Sequence, residues 1–432
     1  MPTPIDLSRR TFLAGAGAAA SLALLAACSA GGGSSSTMKF WNMPWGAPAF
    51  NKADRALAES YRPAAGLPRV QYQTVPWANY VQTFSSAVAS KTGPAVSSGG
   101  GLQAFQFAAD GAIAYADDLL HRFKSADGLY DDFLPGTLEF MNDGEHQVAI
   151  PYTLDMRPLW YRKSVMDKVG GQIPTSWDEY LAIGKELAKA GVYGFGTGAG
   201  TGNFLGQQAL VGLMINNGGG LFNASKEPDC VTDRNIEAMD FVRQMAEAGM
   251  IDPGSVAYTA QNLTDQWKAG RVGMGFHTPG LRDVNVAGAD DYFVASPLAG
   301  PDGRKGAIVL IANVMMYKNT PSQEGSEAFL TWYFQHIHTL FEKNLVSSLP
   351  VLRSITETPA FRSNDRNKKI IDEWQPISKT FASPGGKLFA GVATVDSTPL
   401  LDSFTQTMLQ GKTDSKIVLQ TLQKGIETAM RQ

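Results

Sequence analysis

Two features of this 432-residue chain predict an α/β fold in two lobes. Short stretches patterned like strands alternate with stretches patterned like helices, an order that implies layered α/β structure with a mostly parallel sheet. About 395 residues follow the single low-complexity tract, more than one hydrophobic core usually serves.

Met38-Lys39-Phe40-Trp41-Asn42 reads as the first strand, and 53–61 as a helix closed by Arg62-Pro63. Val70-Gln71-Tyr72-Gln73-Thr74-Val75 alternates as a second strand. A helix over 79–90 follows, stopped by Lys91-Thr92-Gly93-Pro94. Thr175-Ser176-Trp177-Asp178-Glu179 has the form of a capping box opening a helix to about residue 190, and an amphipathic helix over 233–248 ends at Gly249. Further helices are expected over 322–341, 400–409 and 415–430.

The N-terminus is patterned differently. Ser8-Arg9-Arg10-Thr11-Phe12-Leu13 leads into an uncharged, alanine-rich run that ends at Ala27, the basic, apolar, small order of an export leader over 1–27. The run is short for a bilayer span, which needs about 20 apolar residues. Its paired arginines resemble the twin-arginine export signal, and Leu25-Ala26-Ala27-Cys28 resembles a bacterial lipobox. Cys28 is therefore expected to carry lipid and anchor the protein to the outer face of the cell membrane, with the Gly/Ser-rich 28–37 as a flexible tether. Cys230, the other cysteine, is left without a partner and reads as a small core residue.

Composition excludes several classes. The net charge of −3 offers no basic surface for nucleic acid, and no second long apolar run suggests a channel. The 44% hydrophobic content suits a globular protein with a real core. Catalytic and metal constellations are missing. His336 and His338, two apart on an expected helix, point to different faces, and His121, His146 and His277 lack partners at ligand spacing. No Gly-x-Ser-x-Gly elbow occurs. Gly411-Lys412-Thr413 has only the tail of a phosphate loop and reads as a turn between helices; the glycine-rich 194–202 never completes a dinucleotide fingerprint. Asp117-Asp118 and Asp131-Asp132 diverge in any regular structure and read as solvated faces. No cofactor and no metal are expected.

Landmarks then fall in a recognisable order. They run through Pro94-Ala95-Val96, Ala116-Asp117-Asp118-Leu119, Ile150-Pro151-Tyr152, Leu159-Trp160-Tyr161-Arg162-Lys163 and Pro174-Thr175-Ser176-Trp177-Asp178-Glu179. Gly218-Gly219-Gly220-Leu221-Phe222, Trp267-Lys268-Ala269-Gly270-Arg271-Val272-Gly273-Met274 and Leu349-Pro350-Val351 complete the series. From Met38 onward the chain resembles the extracellular solute-binding proteins of bacterial ABC sugar importers, of the maltose-binding type. Arg162 departs from the family's usual Asn or Asp, and Gly280 stands near where many members carry a stacking tryptophan.

The resemblance implies a two-lobed, type II periplasmic-binding-protein-like fold with three hinge crossings and a ligand cleft between the lobes. Lobe 1 would comprise 38–151 with 307–349, and lobe 2 would comprise 152–306 with 350–432. A carbohydrate, a mono- or oligosaccharide, would close the lobes and pass unchanged to ABC permease subunits, the protein itself being a monomer and not an enzyme. A phosphorylated polyol or other anion is an alternative ligand. An exported glycan hydrolase and a surface sensor or adhesin are alternative functions.

A sugar presents hydroxyl rims and apolar C–H faces, so its site needs flat aromatics and paired hydrogen-bonding groups. The candidates this implies are Asn42 and Trp45 at the end of the first strand, Trp77 and Tyr80 opening the following helix, and Gly100 and Gln103 in the glycine-rich turn. Asp155 and Arg157 lie on the first crossing. Asn203 and Phe204 are expected in the second lobe's aromatic wall, and His277 beside the missing tryptophan.

Overall fold

The computed structural model describes residues 37–46, 48–77, 79–126, 128–282, 288–396 and 398–431. The leader, Cys28 and all of the tether but Thr37 lie outside the described residues. Eleven strands occur among them: β1 (Thr37–Asn42), β2 (Arg69–Thr74), β3 (Val96–Gly99), β4 (Ile113–Ala114), β5 (Ile150–Met156), β6 (Leu159–Arg162), β7 (Met274–Phe276), β8 (Tyr292–Val294), β9 (Ala307–Tyr317), β10 (Leu349–Pro350) and β11 (Ser378–Lys379). The larger sheet has the order β10-β5-β9-β3-β1-β2, with β4 and β11 also pairing to β9; the smaller has the order β7-β6-β8.

β1 runs parallel to β2 and β3, as the strand and helix alternation predicts. Apart from β11, which is parallel to β9, the rest departs from a mostly parallel sheet. β9 is antiparallel to β3, β4 and β5, β10 is antiparallel to β5, and the smaller sheet is antiparallel throughout. β9 and β10 come from later in the chain and flank β5, each entering antiparallel to it. β5, β9 and β10, the three segments expected to cross between lobes, lie side by side, with a register shift between Pro151 and Thr153.

Helices carry the outer layers. Ser176 accepts from the Glu179 backbone N–H at 3.3 Å and opens helix Trp177–Lys189, while the Glu179 carboxylate takes the Thr175 hydroxyl at 2.7 Å. The stretch expected as one helix over 322–341 is two, Gln323–His336 and His338–Glu342, meeting at buried Ile337. The apolar pattern runs through the break and hides it. Gly411, at φ +67°, ends helix Leu400–Gln410, and Asp414 caps Ser415–Ala429, so the Gly-Lys-Thr triplet joins two helices. Arg162 donates to Asp291 at 2.8 Å and to the Trp267 carbonyl at 2.9 Å, tying the smaller sheet to a neighbouring helix. Cys230 is fully buried, and burial pushes its thiol up to about 12.

Candidate functional site

The first wall forms where β1 and β3 end, the edge of an open α/β sheet at which ligands collect. Beyond β1 the chain turns so that Trp45 lies almost wholly buried, its Nε1 donating to Asn42 Oδ1 at 3.2 Å and Ser98 Oγ at 3.0 Å. Trp77 stands edge-on to it, ring centres 4.9 Å apart and planes at 90°. Trp77 is 42% exposed, donates Nε1 to the Pro44 carbonyl at 3.0 Å, and meets the Tyr80 ring at 5.4 Å. A Cβ at Gly100 would touch both rings, at 3.4 Å from Tyr80 Oη and 3.6 Å from Trp77. The structure thus brings Trp77, Tyr80 and Gly100 together. Trp45, the expected stacking ring, is the support beneath them.

Asn42 is likewise placed inside. Its Oδ1 accepts from Trp45 and its Nδ2 donates to Asp54, so neither end of the amide is free. Asp54 is fully buried on helix Pro48–Ser60 and also accepts from Tyr72 and Tyr333, each at 2.6 Å. Tyr333 in turn meets the Tyr152 hydroxyl of β5 at 2.9 Å. Burial raises the Asp54 carboxyl, and the hydrogen bonds from Tyr333, Tyr72 and Asn42 act against that rise. One carboxylate therefore ties helix, sheet and crossing strand beneath the tryptophan pair.

The glycine-rich turn has unspent polar atoms. A Cβ at Gly99 would overlap the Met315 side chain, and Asn313 Nδ2 donates to the Gly101 carbonyl at 3.0 Å, so the turn lies directly against β9. Both polar atoms of the Gln103 amide, Asn313 Oδ1 and Thr153 Oγ1 are buried without a hydrogen-bond partner. Unmet groups of this kind are costly.

The second wall is charged. Asp155 on β5 lies opposite Leu310 on β9, about 10 Å along that strand from Asn313. It holds Arg157 through two hydrogen bonds, at 2.6 and 2.9 Å. Arg157 is buried and gives two further donors to Gln208 Oε1 at 2.6 Å and the Met156 carbonyl at 2.8 Å. Beside it is a small void lined by Gln208, Asn216, Phe276 and Trp374, with room for about one water. His277 is buried next to this cation. Burial, with the Arg157 charge second, pushes it down to about 3, so its ring is neutral near pH 7. Asn203 is committed internally, donating to the Tyr258 carbonyl at 2.8 Å and accepting from the Leu205 N–H at 3.2 Å. Phe204 is 52% exposed at the start of helix Leu205–Asn216.

Sequence reasoning missed Gln208 and Asp54. Gln208 follows Phe204 by four residues, one helical turn, and that spacing was a usable signal. Asp54 sits among polar helix residues, so only the fold places it. Among the described residues no group of His, Cys, Asp and Glu could hold a metal ion, and no helix is long and apolar enough to cross a membrane.

The family model for bacterial extracellular solute-binding proteins matches residues 66–336. A sugar transporter of Arthrobacter chlorophenolicus A6, solved with bound laminaribiose, is 46% identical; the match covers 91% of this chain and 99% of that one, with a TM-score of 0.83. The sugar-binding protein MalE of Xanthomonas citri shares the fold at 16% identity and TM-score 0.77, covering 92% and 98% of the two chains. Escherichia coli (strain K12) YcjN, named for an ABC transporter's periplasmic-binding role, is 22% identical over 69% of this chain and 72% of its own.

Proposed function

The chain belongs to the bacterial extracellular solute-binding proteins, and from that premise we propose that it captures a carbohydrate and delivers it, chemically unchanged, to an ABC permease. One observation carries this reading. Trp77 offers an exposed ring on a buried tryptophan support, beside Tyr80 and the glycine turn, which suits the apolar face of a sugar. The 46% identical relative with bound laminaribiose makes a glucose disaccharide the first ligand to test.

In this reading Trp77, Tyr80, Gly100 and Gln103 line one wall and Asp155 and Phe204 the other. Trp45, Asn42, Asn203, Arg157 and His277 hold those groups in place. The lobes divide as 38–151 with 307–349 and 152–306 with 350–432, and a ligand touching both favours the closed arrangement by the difference in contact it makes. A leader over 1–27, a lipid on Cys28 and a tether over 28–37 would keep a monomeric receptor at the outer face of the membrane. Four of the five Arg157 N–H donors are already committed and its charge is paired with Asp155, which counts against an anionic ligand.

Calorimetric titration with laminaribiose, maltose and glucose tests the proposal. At least one should bind with a raised melting temperature and be recovered intact by chromatography. Binding by none of them, or a hydrolysed product, overturns it. Trp77→Ala should abolish most of the affinity while leaving the fold unchanged by circular dichroism.

A further inference from the structure

Trp45 makes a second set of contacts that the stacking of Trp77 does not need. Its carbonyl accepts from both the backbone N–H and the hydroxyl of Ser347, each at 2.9 Å. Ser347 stands two residues before β10, and the chain after Trp45 runs so close to this segment that a Cβ on Gly46 would overlap the Leu345 carbonyl. The Trp45 ring also meets Tyr152, centres 6.0 Å apart and planes at 70°. Tyr152 lies where the register of β5 with β9 shifts between Pro151 and Thr153, and a bulge of this kind re-aims the side chain it carries. Here that side chain is turned inward. It is buried, and because Tyr333 gives its one proton to Asp54, the Tyr152 hydroxyl donates to Tyr333. One tryptophan thus touches β5 and the lead into β10, two of the three expected crossings, with Trp77 standing edge-on to it.

We propose that Trp45 is a positioning residue that couples the sugar platform to the hinge: a guest stacked on Trp77 fixes Trp45, and through it the seats of β5 and β10 from which the lobes turn. This rests on the carbohydrate-binding reading above. A platform hung on its own loop could take a sugar without informing the crossings. Trp45 is instead held on three sides, its indole by Asn42 and Ser98, its carbonyl by Ser347 and its ring by Tyr152, so it cannot shift without straining one attachment. The arrangement of the crossings that satisfies all three is the one in which Trp77 is best supported, and a ligand stacked there favours that arrangement by the difference in contact. Loosening either crossing's attachment then releases sugar faster, although no group that touches the sugar has been removed.

The test measures laminaribiose affinity by calorimetry, its dissociation rate by stopped-flow tryptophan fluorescence, and melting temperature without sugar, for the wild type and for Tyr152→Phe, Ser347→Ala and Tyr180→Phe. Tyr152→Phe removes one hydroxyl and should weaken binding about 10-fold, and Ser347→Ala about threefold, both through faster dissociation. Tyr180 controls for lost stability alone, since its buried hydroxyl donates to the Gly194 carbonyl at 2.7 Å, in contact with neither Trp45 nor a crossing. Tyr180→Phe should lower the melting temperature about as much as Tyr152→Phe yet change affinity less than about twofold. Affinity kept within twofold in Tyr152→Phe, or left untouched by Ser347→Ala, overturns the coupling through Trp45. Equal losses in Tyr152→Phe and Tyr180→Phe also overturn it, since they point to general softening of the fold. A wild type that binds none of the sugars overturns the receptor reading and this one with it.

Discussion

The two walls of the site are built on opposite principles. The wall at the ends of β1 and β3 presents aromatic rings, and its polar groups sit behind them: Trp45 binds Asn42 and Ser98, and Asn42 binds Asp54. The wall on β5 and helix Leu205–Asn216 brings charge to the surface instead, with half-buried Asp155 holding buried Arg157, while the neutral His277 packs behind. One wall supplies shape, the other direction. Under the proposed function, stacking tolerates many sugars and a carboxylate discriminates among hydroxyls, so dividing the two between walls would let only a guest satisfying both favour closure.

The contrast can be broken by substitution, beginning with its deepest support. Asp54→Ala leaves Asn42, Tyr72 and Tyr333 without their acceptor and should cost about 3 kcal/mol or more in urea unfolding, with a red shift in tryptophan emission as Trp45 and Trp77 loosen. A cost under about 1 kcal/mol would mean that the aromatic wall needs no buried carboxylate. Next, Asp155→Ala strands the Arg157 cation and should cost about 3 kcal/mol, most of which returns in the double variant with Arg157→Met; a double variant as unstable as the single would deny that the second wall is organised by charge.

His277 gives a pH test with a definite sign. Its folded value is depressed, so the unfolded chain takes up a proton first as pH falls; the stability it contributes is complete above about 6.5 and is lost progressively toward about 3. The loss should reach on the order of 2 kcal/mol by pH 5, and His277→Gln should flatten that part of the profile. The smallest structural effect belongs to Phe204→Ala. This half-exposed ring should change stability by no more than about 0.5 kcal/mol yet reduce sugar affinity severalfold, and unaltered affinity would remove it from the second wall.

Much of the fold was legible in the sequence because it rests on local periodicity and caps. Helices such as Trp177–Lys189 and Ser415–Ala429 lie within a residue or two of their expected ends. Strand direction was not legible, since β9 pairs with β3 and β5 across more than a hundred residues and nothing local encodes that. In the site, residue type found the aromatic cluster but misjudged depth. Trp45 and Trp77 look alike in sequence, and only the turn after β1 decides which one is covered. Asn42 and Asn203 are polar residues at strand and helix ends, as suited to capping the chain's own groups as to meeting a guest, and the structure places both amides in the former role.

The inertness of Cys230 has a practical consequence. A thiol pushed up to about 12 and sealed from solvent scarcely forms the thiolate that attacks an alkylating dye. In a chain begun at Thr37, a cysteine introduced at exposed Val81, next to Tyr80, would therefore take a single environment-sensitive fluorophore, and the protein would report sugar arrival as light without a reference label.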